Sequence, residues 1–154
     1  MRTVLLLMLM LIASTAVWAE APAGYPFLPF DEATAQARAE HKPLFVYFGR
    51  YGCGYCEKTN REAFSDDGVR AAYTQHYVLA YVDSESGKRL RLPSGERITE
   101  RELGTRYDAF VTPVFTFMTA DGEALLRLVG VQRIEDLSEA DRKVQQLIAA
   151  PVKP

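Results

Sequence analysis

The segment Cys53-Gly54-Tyr55-Cys56 contains both cysteines of this 154-residue chain. A continuous apolar run from Leu44 to Phe48 precedes it, and the polar segment from Glu57 to Glu62 follows it. The apolar run is typical of a central strand covered on both faces, and the polar segment favours a helix. The pattern therefore predicts two thiols at a strand-to-helix junction.

The N-terminus has the features of a secretory signal peptide. Arg2 is the only charge before an almost wholly apolar run from Val4 to Val17, and small residues follow at Ala19 and Ala21. A short positive segment, an apolar core and a small-residue cleavage site are typical of such leaders. The run is shorter than the roughly 20 apolar residues that span a bilayer, which argues against the alternative of an uncleaved anchor. We predict a leader over residues 1–19, cleaved after Ala19 or Ala21.

The rest of the chain has the size and composition of one globular domain. We predict an extended lead-in over residues 20–30 and a single domain, expected to be monomeric, over residues 31–150. The net charge of −2 becomes about −3 once Arg2 is removed. This balance gives no electrostatic basis for binding nucleic acid or an anionic membrane.

The apolar periodicity predicts helices and strands in alternation, with a hairpin near the end. The predicted strands are 44–48, 77–82, 114–118 and 124–129, with a short hairpin allowed within 84–97. The first predicted helix is capped by Asp31 and ends near His41. The second follows the cysteines, pauses near Phe64 and resumes at Ser65-Asp66-Asp67. The third runs from a Thr99–Glu102 capping box to Tyr107, and the fourth runs from Leu137 to Ala149 with Val144, Leu147 and Ile148 facing inward. This order implies an α/β fold with a mixed sheet of four to five strands and helices on both faces.

The spacing of the two cysteines points to thiol–disulfide exchange. Only a thiolate attacks a disulfide, and a helix N-terminus stabilises a thiolate. We therefore expect Cys53 to be the nucleophile, and Cys56, one turn further in and less exposed, to be the resolving thiol of a Cys53–Cys56 disulfide. Two alternatives are a purely structural bridge, which would close too short a loop to stabilise much, and a metal site. A metal site would have only His41 and His76 as further candidates, so no metal is expected.

With these motifs in view, the chain from about Phe30 to Ala149 resembles the thioredoxin-like superfamily. Lys42-Pro43 before the first strand and the segment from Phe64 to Asp66 resemble exported proteins of the SoxW type and the C-terminal domain of DsbD. The Gly-Tyr pair between the cysteines, together with Thr112-Pro113, is also similar to the periplasmic isomerases DsbC and DsbG. The resemblance implies a thioredoxin-like fold and redox activity without a cofactor.

The resemblance also assigns residues around the cysteines. It implies that Pro113 is a cis-proline facing the redox pair and that the Thr112 backbone pairs with substrate; an ordinary trans-proline is the alternative. Tyr51 and Tyr55 could form an apolar rim for substrate or pack into the domain. Tyr47 stands where cytosolic thioredoxins carry a buried aspartate.

In cytosolic thioredoxins the buried aspartate is assigned to proton transfer with the second cysteine. Because Tyr47 replaces it here, Glu57 is a candidate for the same role through water. The alternative for Glu57 is a solvated helix residue.

We therefore predict a periplasmic thiol–disulfide oxidoreductase, with the reduction of substrate disulfides as the favoured direction. Its expected partners are exported proteins or small thiols, and a membrane thiol donor such as a DsbD-type transporter. One alternative is a dithiol oxidase or disulfide isomerase with the same site. The other is a non-catalytic module that binds peptides or a metal.

Overall fold

The computed structural model describes residues 21–150. The leader predicted over residues 1–19 therefore lies outside the described residues. Within the described part of the chain, no helix is both long enough and apolar enough to cross a membrane. The helices are α1 (Phe30–Glu40), α2 (Gly54–Thr59), α3 (Asp67–His76), α4 (Glu100–Arg106) and α5 (Ile134–Ala149). The strands are β1 (Leu44–Gly49), β2 (Val78–Asp83), β3 (Arg89–Arg91), β4 (Arg97–Thr99), β5 (Val114–Met118) and β6 (Ala124–Val129).

Four of these strands form a mixed sheet in the order β2-β1-β5-β6. β1 runs parallel to β2 and antiparallel to β5, and β6 pairs antiparallel with β5. β3 and β4 form a separate hairpin, and Leu28 in the lead-in makes an isolated parallel bridge to Ala80 on β2. The predicted α/β fold, with a mixed sheet and helices on both faces, is confirmed.

The central strand β1 is buried along its whole length, as the apolar run predicts. Alternate residues point to opposite faces of a strand. Val46 therefore belongs to one core, which includes residues of α1 and α4, while Phe45 belongs to the other, which includes residues of α2, α3 and α5. Because the cysteines lie in the second core, the redox pair rests on the aromatic side of the sheet.

Two helices differ from the sequence prediction at their N-termini. Pro29, not Asp31, is the N-cap of α1, and the Ala33 N–H donates to the Pro29 carbonyl at 2.9 Å. Pro29 provides no side-chain cap, and Phe30, the first residue of the helix, is buried. Asp31 instead lies in the first turn. The lead-in therefore ends at Pro29.

Helix α5 begins at Ile134, three residues before the predicted start at Leu137. The Asp136 carboxylate accepts a hydrogen bond from the Arg133 N–H at 2.8 Å, and this contact fixes the earlier start. Val144 is buried, but Leu147 and Ile148 are each 45% exposed, so the prediction that they face inward is wrong. Their turn of the helix lies beyond the edge of the core.

Between these helices, a π-helical turn at Asn60–Phe64 connects α2 to α3. This turn is the irregularity that the sequence predicts near Phe64. Asp66 then caps α3 by accepting a hydrogen bond from the Val69 N–H at 2.9 Å.

One acidic side chain, Glu100 at the start of α4, is buried with 7% of its surface exposed. Burial raises the pKa of its carboxyl above the ordinary 4.5, although a hydrogen bond with Ser86 and the nearby charge of Lys88 act in the opposite direction. Desolvation penalises the charged form of a carboxyl group. The folded state therefore retains this proton to a higher pH than the unfolded state does.

From this shift we expect the free energy of unfolding of Glu100→Gln, relative to that of the wild type, to increase as the pH rises. Between the unfolded and folded pKa values the native state binds more protons, so the free energy of unfolding of the wild type falls with increasing pH. The variant lacks this loss, and its stability relative to wild type should increase from pH 4 to pH 7. Urea denaturation at both pH values measures the difference. An unchanged difference would mean that the carboxyl titrates alike in both states.

Candidate redox site

Cys53 and Cys56 form a disulfide at the junction of β1 and α2, with Cα atoms 5.2 Å apart. Cys53 is the N-cap of α2, and its Sγ accepts a hydrogen bond from the Cys56 N–H at 3.1 Å. Gly52 has a φ of +67°, in the left-handed region that favours glycine, and allows the sharp turn into the helix. The predicted strand-to-helix junction therefore places Cys53 at a helix N-terminus.

Both cysteines are buried, with 2% of Cys53 and 5% of Cys56 exposed. The expectation that Cys56 is the less exposed of the two is wrong. Thr112 covers Cys53: its hydroxyl donates to Cys53 Sγ at 3.1 Å, and its carbonyl oxygen lies 3.6 Å from the same sulfur. Access to Cys53 therefore passes beside Thr112.

The Thr112–Pro113 peptide bond is cis in this structure. Pro113 is buried immediately before β5, and its carbonyl accepts a hydrogen bond from the Gly130 N–H at 2.8 Å. This anchor holds the segment against the end of β6. In the described part of the chain, no backbone hydrogen bond is formed by the N–H or carbonyl of Thr112. Of the two groups, the carbonyl oxygen is the one that lies 3.6 Å from Cys53 Sγ.

Four large apolar side chains near the disulfide are strongly exposed. Tyr51 and Tyr55, which flank Cys53 in sequence, are 69% and 68% exposed, so neither packs into the core. Phe110 and Val111, just before Thr112, are 73% and 64% exposed. This second pair was not predicted from the sequence, although two apolar residues directly before the Thr-Pro pair are a readable signal. Exposed apolar patches mark interaction sites.

Arg50, between β1 and the cysteines, contacts the residue that covers Cys53. Its Nε donates to Thr112 Oγ1 at 3.2 Å, and its Nη1 lies 3.3 Å from Glu85 Oε1. These three residues line a cavity of about 200 Å³, together with Arg101 and Phe110. Arg50 and Glu85 were not predicted from the sequence as site residues.

Tyr47, at the position of the aspartate of cytosolic thioredoxins, and Glu57, the candidate for proton transfer, differ in their surroundings. Tyr47 is fully buried, and its hydroxyl donates to Asn60 Oδ1 at 3.0 Å and lies 3.4 Å from the Cys56 carbonyl. Burial raises the pKa of Tyr47 far above its ordinary value, so the phenol stays neutral. Glu57 is exposed on α2, and its backbone N–H donates to the Cys53 carbonyl at 3.0 Å.

The two histidines do not lie with the cysteines as metal ligands. His41 caps the end of α1, and His76 on α3 contacts Asp141 through Nδ1 at 2.8 Å. Among residues 21–150, no group of three or more potential ligands is arranged to hold a metal ion.

Comparisons with known proteins agree with this geometry. A family model of the thioredoxin-like domain matches residues 30–145. The thiol:disulfide interchange protein DsbD of Ralstonia nicotianae is 30% identical over 125 residues, which are 80% of this chain but only 19% of that protein. The chain therefore spans about a fifth of this curated relative.

Solved structures show the same fold. A thioredoxin from Thermus thermophilus is 27% identical, with a TM-score of 0.62 over 81% of this chain and 88% of the other. The oxidised C-terminal domain of DsbD from Neisseria meningitidis is 18% identical, with a TM-score of 0.54 over 73% of this chain and 90% of that domain.

Proposed function

The chain belongs to the thioredoxin-like domain family of thiol–disulfide oxidoreductases, and on that premise we propose that it reduces disulfides of exported proteins in the periplasm. The observation that carries the proposal is the disulfide at the start of α2, with the Thr112 hydroxyl and the Cys56 N–H both 3.1 Å from Cys53 Sγ. Two donors at one sulfur stabilise a thiolate, which is the attacking form.

The proposed cycle begins with the reduced protein. The Cys53 thiolate attacks one sulfur of a substrate disulfide, a mixed disulfide forms, and the other substrate sulfur leaves as a thiolate and takes a proton from water. The Cys56 thiolate then attacks Cys53 Sγ and releases the second substrate thiol. The substrate gains two electrons and two protons, and the protein ends as the Cys53–Cys56 disulfide seen here.

The surroundings of Cys53 favour a polypeptide substrate over a small-molecule disulfide. The Thr112 backbone groups beside the sulfur can pair with an extended chain, as in β-strand addition. The exposed side chains of Tyr51, Tyr55, Phe110 and Val111 can contact apolar residues of that chain. We therefore propose a substrate-binding role for Thr112 and the adjoining Pro113, and for Tyr51 and Tyr55.

Two further features support the cellular setting and the direction of transfer. The predicted leader supports export, and the similarity to DsbD supports a role in a thiol-transfer chain. An exported reductase needs electrons, so we propose a membrane thiol donor of the DsbD type as its partner. Proton transfer through Glu57 stays part of this proposal, since its exposed carboxylate is accessible to water.

The test is the reduction potential combined with an activity assay. Equilibration with glutathione should give a potential near the reducing end of the range of roughly −270 to −120 mV found across this fold. The reduced protein should also reduce insulin in the presence of dithiothreitol. A potential near −120 mV would instead favour a dithiol oxidase or disulfide isomerase. An inert disulfide would leave a peptide- or metal-binding module as the better function.

A further inference from the structure

We propose that Arg50 is a positioning residue that orients the Thr112 hydroxyl so that its hydrogen points at Cys53 Sγ. The inference rests on the proposed function, in which Cys53 is the attacking thiol. It concerns the two consecutive contacts that join Arg50 to Thr112 and Thr112 to Cys53. We call this set the Arg50 relay.

The direction of each hydrogen bond in the Arg50 relay follows from the donors available. A guanidinium group only donates, so Thr112 Oγ1 must accept from Arg50 Nε at 3.2 Å. The hydroxyl has a single hydrogen, and Cys53 Sγ lies 3.1 Å from the oxygen. With one side of the oxygen occupied by Arg50, the hydrogen is directed towards the sulfur.

The Arg50 guanidinium is itself held in place. Its Nη1 contacts Glu85 Oε1 at 3.3 Å while Nε contacts Thr112. The loop carrying Glu85 is fixed in turn, because Arg101 Nη2 and Nε donate to the Glu85 carbonyl at 2.6 and 3.2 Å. A lysine has one ammonium group and no planar fork, so it cannot reproduce both contacts of Arg50 in this geometry.

Within the Arg50 relay, the Thr112–Cys53 contact is shielded from water, whereas the Arg50 side chain is 45% exposed. Cys53 is 2% exposed and Thr112 is 8% exposed. A hydrogen bond to the charged form of a group lowers its pKa, and the effect is larger with little competing water. On reduction, the oriented hydroxyl therefore stabilises the Cys53 thiolate.

The charges around the thiol act in both directions. Arg50 and Arg101 on one side favour the thiolate, and Glu85 between them opposes it. On α2, Glu57 and Lys58 carry opposite charges and follow Cys56 directly. The contribution of Arg50 through Thr112 is separated from its direct charge effect by Arg50→Lys, which keeps the positive charge.

The experiment measures the pKa of the Cys53 thiol in a Cys56→Ala background, which leaves one thiol, by following thiolate absorbance against pH. We expect Arg50→Gln to raise this pKa by about one unit, a tenfold smaller thiolate fraction at a fixed pH below it. Arg50→Lys should raise it similarly, because the charge remains but the oriented contact is lost. Thr112→Val should also raise it, whereas Thr112→Ser should not.

A double-mutant cycle provides the decisive comparison. In the Thr112→Val background, Arg50→Gln should have little further effect, because the group through which Arg50 acts is absent. Lys58→Gln is the matched control, since it removes a positive charge from α2 without touching Thr112. Circular dichroism verifies folding. If Thr112→Val does not fold, the proposal is still tested by comparing the thiol pKa of Arg50→Gln with those of Arg50→Lys and Lys58→Gln.

Three results would overturn the Arg50 relay. They are an Arg50→Lys variant that matches wild type, an Arg50→Gln effect that persists undiminished without the Thr112 hydroxyl, and a Lys58→Gln shift as large as that of Arg50→Gln. The titration uses no substrate, so its outcome is independent of whether insulin is reduced. Failure of the inferred relay is therefore distinguishable from failure of the proposed function.

Discussion

Replacing Cys56 with alanine should convert the protein from a turnover catalyst into a trap for its substrates. Cys53 can still attack a disulfide, but no second thiol resolves the mixed disulfide, which should accumulate to near-stoichiometric levels. Insulin reduction should fall to the uncatalysed rate. Non-reducing gels and mass spectrometry of the native cell envelope measure the captured species.

The structure favours this substitution because it changes little else around the nucleophile. Cys56 contributes its backbone N–H to Cys53 Sγ, and alanine retains that donor. The Thr112 hydroxyl contact with Cys53 does not involve the Cys56 side chain. The attacking thiol of the variant therefore keeps both hydrogen-bond donors.

The matched control is Cys53→Ala, which keeps Cys56 but removes the nucleophile assigned above. This variant should capture nothing and reduce no insulin. Equal capture by the two variants would contradict the assignment of roles. If Cys56→Ala captures no protein while Cys53 still reacts with iodoacetamide, the substrate is a small-molecule disulfide.

Local pattern was sufficient to predict the elements around the disulfide. The apolar run over 44–48 became the buried strand β1, and the Thr99–Glu102 capping box is present at the start of α4. These features depend on neighbours within a few residues, for which propensity and capping rules are informative. The fold class could therefore be predicted from the order of helices and strands alone.

The contacts that surround Cys53 could not be predicted in this way. Thr112 lies 59 residues from Cys53, and Arg50 lies 35 residues from Glu85. Such pairs meet only because the sheet order brings the start of β5 and the loop after β2 to the end of β1. The same tertiary cover by Thr112 explains why Cys53 is more buried than its position at a helix start suggests.

Replacing Phe45 with alanine should cause a large loss of stability. Phe45 is fully buried on β1, with its ring centroid 5.0 Å from those of both Tyr73 on α3 and Phe117 on β5. Removing a buried aromatic ring loses transfer free energy and leaves a cavity, at a cost of about 3–5 kcal/mol. Domains of this kind are stable by only about 5–15 kcal/mol.

The matched control for this loss is Phe110→Ala, the same chemical change at a ring that is 73% exposed. Its effect on the free energy of unfolding should stay within about 0.5 kcal/mol, because the ring leaves no cavity. Denaturant unfolding of both variants in the disulfide form measures the contrast. Similar losses for the two would mean that the aromatic cluster beneath the redox pair contributes no more than an exposed ring, contrary to its burial between β1, β5 and α3.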